Sequence, residues 1–112
     1  MPGIGPNIKR GSAELALLEV LAAGPLHGYE IAKQIERRTH GVLRFDVASL
    51  YPLLYRMEKR GWVSAAWESA ASGRKRRCYR LTVVGKKQLA PLRGQWRLFF
   101  QALNRLAKVS HA

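Results

Sequence analysis

Cysteine is almost missing from this chain: Cys78 stands alone among 112 residues, so no intrachain disulfide can form and no Cys-rich zinc module is present. A reducing, cytoplasmic setting is the default that follows. Acidic residues are also scarce, seven against 20 Lys and Arg, for a formal charge of +13. The shortage is uneven, because residues 69–112 hold eleven basic side chains and no acidic one. No apolar run approaches the ~20 residues that cross a bilayer. The Gly- and Pro-rich start, Met1 to Gly11, has no apolar stretch behind its positive charges, so it reads as a flexible N-terminal arm rather than a signal peptide. Paired carboxylates, metal-ligand spacings and a phosphate-cradling glycine loop are lacking too. His27, His40 and His111 are scattered, so no catalysis, metal or cofactor is expected.

What is present is enough to fold. With 47% apolar and 9% aromatic residues the chain can build one core, and its length allows one compact domain with a small accessory element. From Ala13 to Ala23 the sequence is apolar apart from Glu14 and Glu19, with Ser12 placed to cap a helix and Gly24-Pro25 to stop it. Gly28, Ile31, Ala32 and Ile35 repeat at the spacing of one face of a second helix. A third helix, capped by Asp46 or Ser49 and ended by Gly61, buries Leu50, Leu53, Leu54 and Met57. Its other side shows Ser49, Tyr51, Pro52, Tyr55, Arg56 and Lys59.

The period then becomes two. Val63, Ala65 and Trp67 alternate with polar or small residues, as do Tyr79, Leu81 and Val83, which predicts two strands around the loop Ser69 to Lys75. That hairpin places Gly73, Arg74, Lys75, Arg76 and Arg77 at or beside its tip. Four adjacent cations repel unless an anion is near, so they suit phosphate or a minor groove. Cys78 lies among Arg76, Arg77 and Arg80, which would favour its thiolate. In the last segment Leu89, Leu92, Trp96, Phe99, Leu103 and Leu106 are spaced 3, 4, 3, 4, 3, a heptad-like seam. Such a seam pairs with a second copy or folds back on its own core, and both can hold at once, with the Leu89 end on the first helix and the Trp96 to Leu106 end between chains. Pro91 and Gly94 oppose a continuous helix there, so the helix either kinks or begins at Pro91.

Three helices, a hairpin and a last helix are the order of a winged helix-turn-helix: mainly α, with an α+β wing. Residues 12–85 form the DNA-binding unit in this reading and residues 86–112 a C-terminal dimerisation helix. Gly24-Pro25-Leu26-His27-Gly28-Tyr29-Glu30-Ile31, Ser49 to Glu58, Gly61-Trp62-Val63 and Tyr79 to Gly85 together resemble PadR-family transcriptional regulators over roughly residues 12–90. The resemblance implies a homodimeric repressor that binds a palindromic double-stranded operator. Ser49, Tyr51, Pro52 and Tyr55 then fall on the recognition helix and Gly73 to Arg76 on the wing tip. It also implies that a small aromatic or hydrophobic effector, where there is one, binds at the dimer interface, for which Trp96, Phe99 and Phe100 offer a platform. The rival from another class is a non-specific basic module for RNA, ribosome or nucleoid, in which charge alone supplies affinity.

Overall fold

A computed structural model describes the backbone of residues 6–108 and the side chains of residues 12–108. Residues 1–5 of the expected arm, and His111, lie outside the described residues. Helix α1 spans Pro6–Ala22, so it starts well before Ser12, and the arm reading is corrected for residues 6–11. Proline suits the first turn of a helix, where its missing N–H has no partner to lose. Ser12 therefore lies inside the helix rather than at its cap.

A two-residue strand, β1 (Leu26–His27), leads into α2 (Gly28–Arg38) and then α3 (Val47–Lys59). The four α2 positions expected inside, Gly28, Ile31, Ala32 and Ile35, are buried. So are Leu50, Leu53, Leu54 and Met57 of α3. Asp46 occupies the N-cap position of α3, while the Ser49 hydroxyl, one turn into the helix, donates back to the Asp46 carbonyl at 2.8 Å. The end of α3 is a Schellman motif: Trp62 N–H bonds the Met57 carbonyl and Gly61 N–H the Glu58 carbonyl. That closure needs a left-handed residue, which Gly61 provides with φ +77°.

Strands β2 (Val63–Ser69) and β3 (Lys75–Leu81) form the hairpin, and β1 adds to its other side in the order β1-β3-β2. Cys78 faces His27 on one flank and Ala66 on the other. The connecting turn, Ala70 to Arg74, is closed by Gly73 N–H on the Ala70 carbonyl and Ala70 N–H on the Arg74 carbonyl, both 2.8 Å. Gly73 supplies the positive φ that this kind of hairpin loop requires. Only Arg74 of the four-cation run lies in the turn; Lys75, Arg76 and Arg77 belong to β3 and take its alternation.

Helix α4 runs over Val83–Lys108 with Pro91 inside it, about 39 Å at the ordinary rise, so the alternative of a helix that begins at Pro91 is corrected. Val83, expected in a strand, is its first residue. Contacts on both sides of Pro91 hold the helix against α1. Leu89 is buried in the common core, and Arg93 forks onto Glu19 with two hydrogen bonds of 2.6 Å. Pro91 itself is exposed, so water can reach the carbonyl that its missing N–H leaves unbonded. Thr82 joins wing to helix: its hydroxyl donates to the Gly61 and Trp62 carbonyls and accepts from Gly85 N–H. At the centre of the core Leu17, Leu18, Ile31, Leu54 and Met57 are fully buried. Truncating any of them to Ala is worth about 2–5 kcal/mol.

Candidate nucleic-acid interface

The α3 stripe turns its opposite side outward. Tyr51 is 45% and Tyr55 56% exposed, and Pro52, Arg56 and Lys59 are exposed beside them. Lys59 Nζ sits 4.8 Å above the Tyr55 ring centroid, which aligns a hydroxyl-bearing ring with a cation. Tyr51 packs against the start of α2, where a Cβ added to Gly28 would come within 2.8 Å of its ring. Glycine at that position is what lets α3 lie so close to α2.

The wing faces this helix across a cleft of about 830 Å³ lined by Tyr29, Tyr51, Trp67, Arg74, Lys75 and Arg76, among others. Arg74 and Lys75 are exposed at its outer end. Arg76 Nη1 donates to the Tyr29 hydroxyl at 3.0 Å. Arg77 departs from the expected role. Its Nη2 bonds Glu58 Oε2 at 3.0 Å, and its guanidinium lies 5.9 Å from the Trp67 ring and 5.8 Å from Tyr79. Strand alternation turns it toward α3, so it ties the wing to the helix rather than extending from the tip. Arg76 Nε and Arg77 Nε are buried without a hydrogen-bond partner among the described residues.

Two parts of this surface were not singled out from the sequence. Tyr29 follows Gly28 on the side of α2 away from Ile31 and Ile35, and helical spacing alone would have found it. The second part was not legible in that way: His27, Glu68 and Cys78 meet on the other face of the sheet, their candidate ligand atoms all within 4.8 Å of one another. His27 Nε2 is 3.1 Å from Glu68 Oε1 and His27 Nδ1 is 2.8 Å from Glu30 Oε1. The His27 backbone N–H, and then its ring, hold the Glu30 carboxyl below its ordinary range. Burial, followed by the charge of Glu68, pushes the Cys78 thiol above its usual range and outweighs Arg80. The expectation of a cation-favoured thiolate is therefore corrected: burial and the neighbouring Glu68 carboxylate prevail over the pull of Arg80.

The expected seam divides into two parts. Leu89 is 8% exposed inside its own chain's core, and Leu92 packs against that core, so Leu89 is removed from the dimerisation set. Farther along α4, Leu98, Phe99, Phe100, Leu103 and Leu106 are exposed. Trp96 meets Phe99 edge-on at 5.5 Å and Phe100 at 5.4 Å between ring centroids. The structure thus brings Trp96, Phe99 and Phe100 into one aromatic cluster. Shallow grooves of about 360 Å³ flank it, one along Leu15, Leu92, Trp96 and Phe99, the other along Arg93, Phe100 and Asn104.

Known proteins share this arrangement. Residues 17–91 match the model of the transcriptional regulator PadR-like family. An uncharacterized protein of Lysinibacillus sphaericus is 32% identical over 90 residues, 80% of this chain and 83% of that one. A transcriptional regulator from Clostridium thermocellum superposes with a TM-score of 0.81 at 27% identity, covering 91% of this chain and 96% of that one. Bacillus subtilis PadR, solved in complex with operator DNA, has the same fold, with a TM-score of 0.66 at 22% identity over 71% of this chain and 45% of that one. No helix among the described residues is long and apolar enough to cross a membrane. With the family model matched across the winged helix-turn-helix and into the first part of α4, this chain belongs to the PadR-like family of transcriptional regulators.

Proposed function

We propose that the protein is a cytoplasmic repressor that binds a palindromic double-stranded DNA operator as a homodimer. The observation that carries this reading is the cleft itself. Tyr51 of α3 and Tyr29 of α2 lie on one wall, and the exposed cations Arg74 and Lys75 stand at the outer end of the other. Helix α3 would enter the major groove, with Ser49, Tyr51, Pro52, Tyr55, Arg56 and Lys59 on its contact side. The wing cations would bond the adjacent backbone. The operator-bound fold of the Bacillus subtilis protein supports this placement. The exposed end of α4, Trp96 to Leu106, is where two copies would pair, since a lone chain leaves a contiguous apolar patch in water. A flat hydrophobic effector would bind against Trp96, Phe99 and Phe100.

The test is selection of genomic fragments by the pure protein, followed by footprinting. Protection of two inverted half-sites, one helical turn or a multiple of it apart, is expected. Tyr55→Ala, which removes an exposed ring, should fold normally and lose affinity for the selected fragment. Equal recovery of random duplex would instead make the protein a non-specific basic module. A folded Tyr55→Ala variant at wild-type affinity would refute the recognition surface.

A further inference from the structure

We propose that His27 Nε2, a Glu68 carboxylate oxygen and Cys78 Sγ form a three-ligand site for a borderline divalent transition cation of the zinc class, with water as the fourth ligand. The three residues come from three strands of one sheet. His27 on β1 and Ala66 on β2 flank Cys78 on β3 in direct register, and Glu68 is the next residue along β2 on the same face. Their ligand atoms lie within 4.8 Å of one another. Ligand atoms on a zinc tetrahedron stand about 3.3–3.8 Å apart, given bonds of about 2.0–2.3 Å, so side-chain rotation suffices to close the set. The nitrogen, oxygen and sulfur donors match zinc and exclude magnesium or calcium, which take oxygen alone.

A second observation is independent of the ligand spacing. Ligating histidines nearly always donate their other ring N–H to a carboxylate, a backbone carbonyl or water, and here Glu30 Oε1 is 2.8 Å from His27 Nδ1. That contact suits the tautomer protonated on Nδ1, whose Nε2 lone pair an ion would take in place of the present contact with Glu68 Oε1 at 3.1 Å. On binding, the Cys78 S–H proton and any proton on Nε2 pass to solvent, the ring keeps its proton on Nδ1, and three protein-metal bonds form. The resulting thiolate and the Glu68 carboxylate neutralise the dication. Glu30, one shell out, offsets Arg76 and Arg80, the cations nearest these groups. Such an ion would cross-link β1, β2 and β3 directly behind the cleft and fix the wing to the start of α2.

The experiment is read on the untagged protein without DNA, so its outcome is separate from that of the repressor reading. Cobalt(II) titration should give one ion per chain with thiolate-to-cobalt charge-transfer absorption, and zinc should displace it with proton release. Cys78→Ser should abolish the charge-transfer band and weaken zinc by at least tenfold. Glu68→Gln, an exposed and fold-neutral change, should weaken zinc similarly. Glu30→Gln, at the positioning residue, should cost about 10- to 100-fold with the charge-transfer band retained. Absence of that band in the wild type, or unchanged zinc affinity in folded Cys78→Ser or Glu68→Gln, would overturn the site.

Discussion

The four consecutive cations of the wing should contribute unequally to DNA affinity, and salt dependence separates them. Arg74 and Lys75 are exposed at the outer end of the cleft, whereas Arg77 is bonded to Glu58 and wedged between Trp67 and Tyr79. In a bound dimer the double variant Arg74→Gln/Lys75→Gln removes four phosphate contacts. Each contact contributes about 0.9 to the slope of log K against log salt, so the slope should flatten by about 3.6. Across a fourfold rise in salt, the advantage of wild type over variant should shrink by about 150-fold. Arg77→Gln should leave the slope where it was and lower the melting temperature, because it breaks the tie to α3 and strands Glu58. Fluorescence anisotropy on a random-sequence duplex at several salt concentrations measures the slopes, and a thermal melt measures the stability. If Arg77→Gln flattened the slope as far as Arg74→Gln, with no loss of stability, the division of the wing into reaching and anchoring cations would be refuted.

Three further outcomes follow from the rest of the chain. Phe99→Asp with Leu103→Asp puts two charges per chain on the exposed part of α4 and should yield a folded monomer in sedimentation, with most DNA affinity lost because one half-site must act alone. The hydrogen bonds from Arg93 lower the Glu19 carboxyl below its unfolded value, so this pair stabilises the fold above the ordinary carboxylate range and loses that contribution as pH falls through the lowered value. Acid titrations should accordingly show Glu19→Gln losing less stability than wild type over that window. Gly85→Ala should be worse than Gly28→Ala in a thermal melt, because the added methyl meets the Trp62 backbone carbonyl in the first case and a movable Tyr51 ring in the second; overpacking of the second kind costs about 1–3 kcal/mol.

Helices α2 and α3 could be read directly from the sequence, since their apolar positions repeat at 3.6 and each buries one side; the hairpin was legible from its period of two, although Trp67 of that alternation is exposed. Where the reading failed at Pro91 and at β1, a tertiary contact had overridden a local signal. The composition of residues 6–11 suggested a loose arm, yet α1 begins at Pro6. Pro91 and Gly94 suggested a break, yet contacts from Leu89 and Arg93 to α1 carry the helix across them. Strand β1 has only two residues inside a Gly-Pro turn, and only the open edge of β3 makes it a strand. The exposed side of α3 was legible as the back of the Leu50-Leu53-Leu54-Met57 stripe. The inward turn of Arg77 was not, because it depends on which residue starts β3, and hairpin boundaries are poorly marked in a run of like cations. The meeting of His27, Glu68 and Cys78 was equally hidden, since it follows from strand register between segments far apart in the chain.

The uninterrupted helix α4 also constrains how this chain could change length. Inserting one residue between Leu89 and Phe99 would rotate the distal apolar patch by about 100° relative to the core, turning the two reading heads of the proposed dimer to unrelated faces of the duplex. A seven-residue insertion would nearly restore the angle, leaving a mismatch of about 20°. It would also lengthen each arm by about 10 Å, roughly three base-pair steps of B-form DNA. In the proposed dimer the stretch from Leu89 to Phe99 would thus be a ruler graduated in heptads. Point substitutions on its solvent side leave the gauge unchanged, whereas a change in its length resets the spacing of the sites it can span.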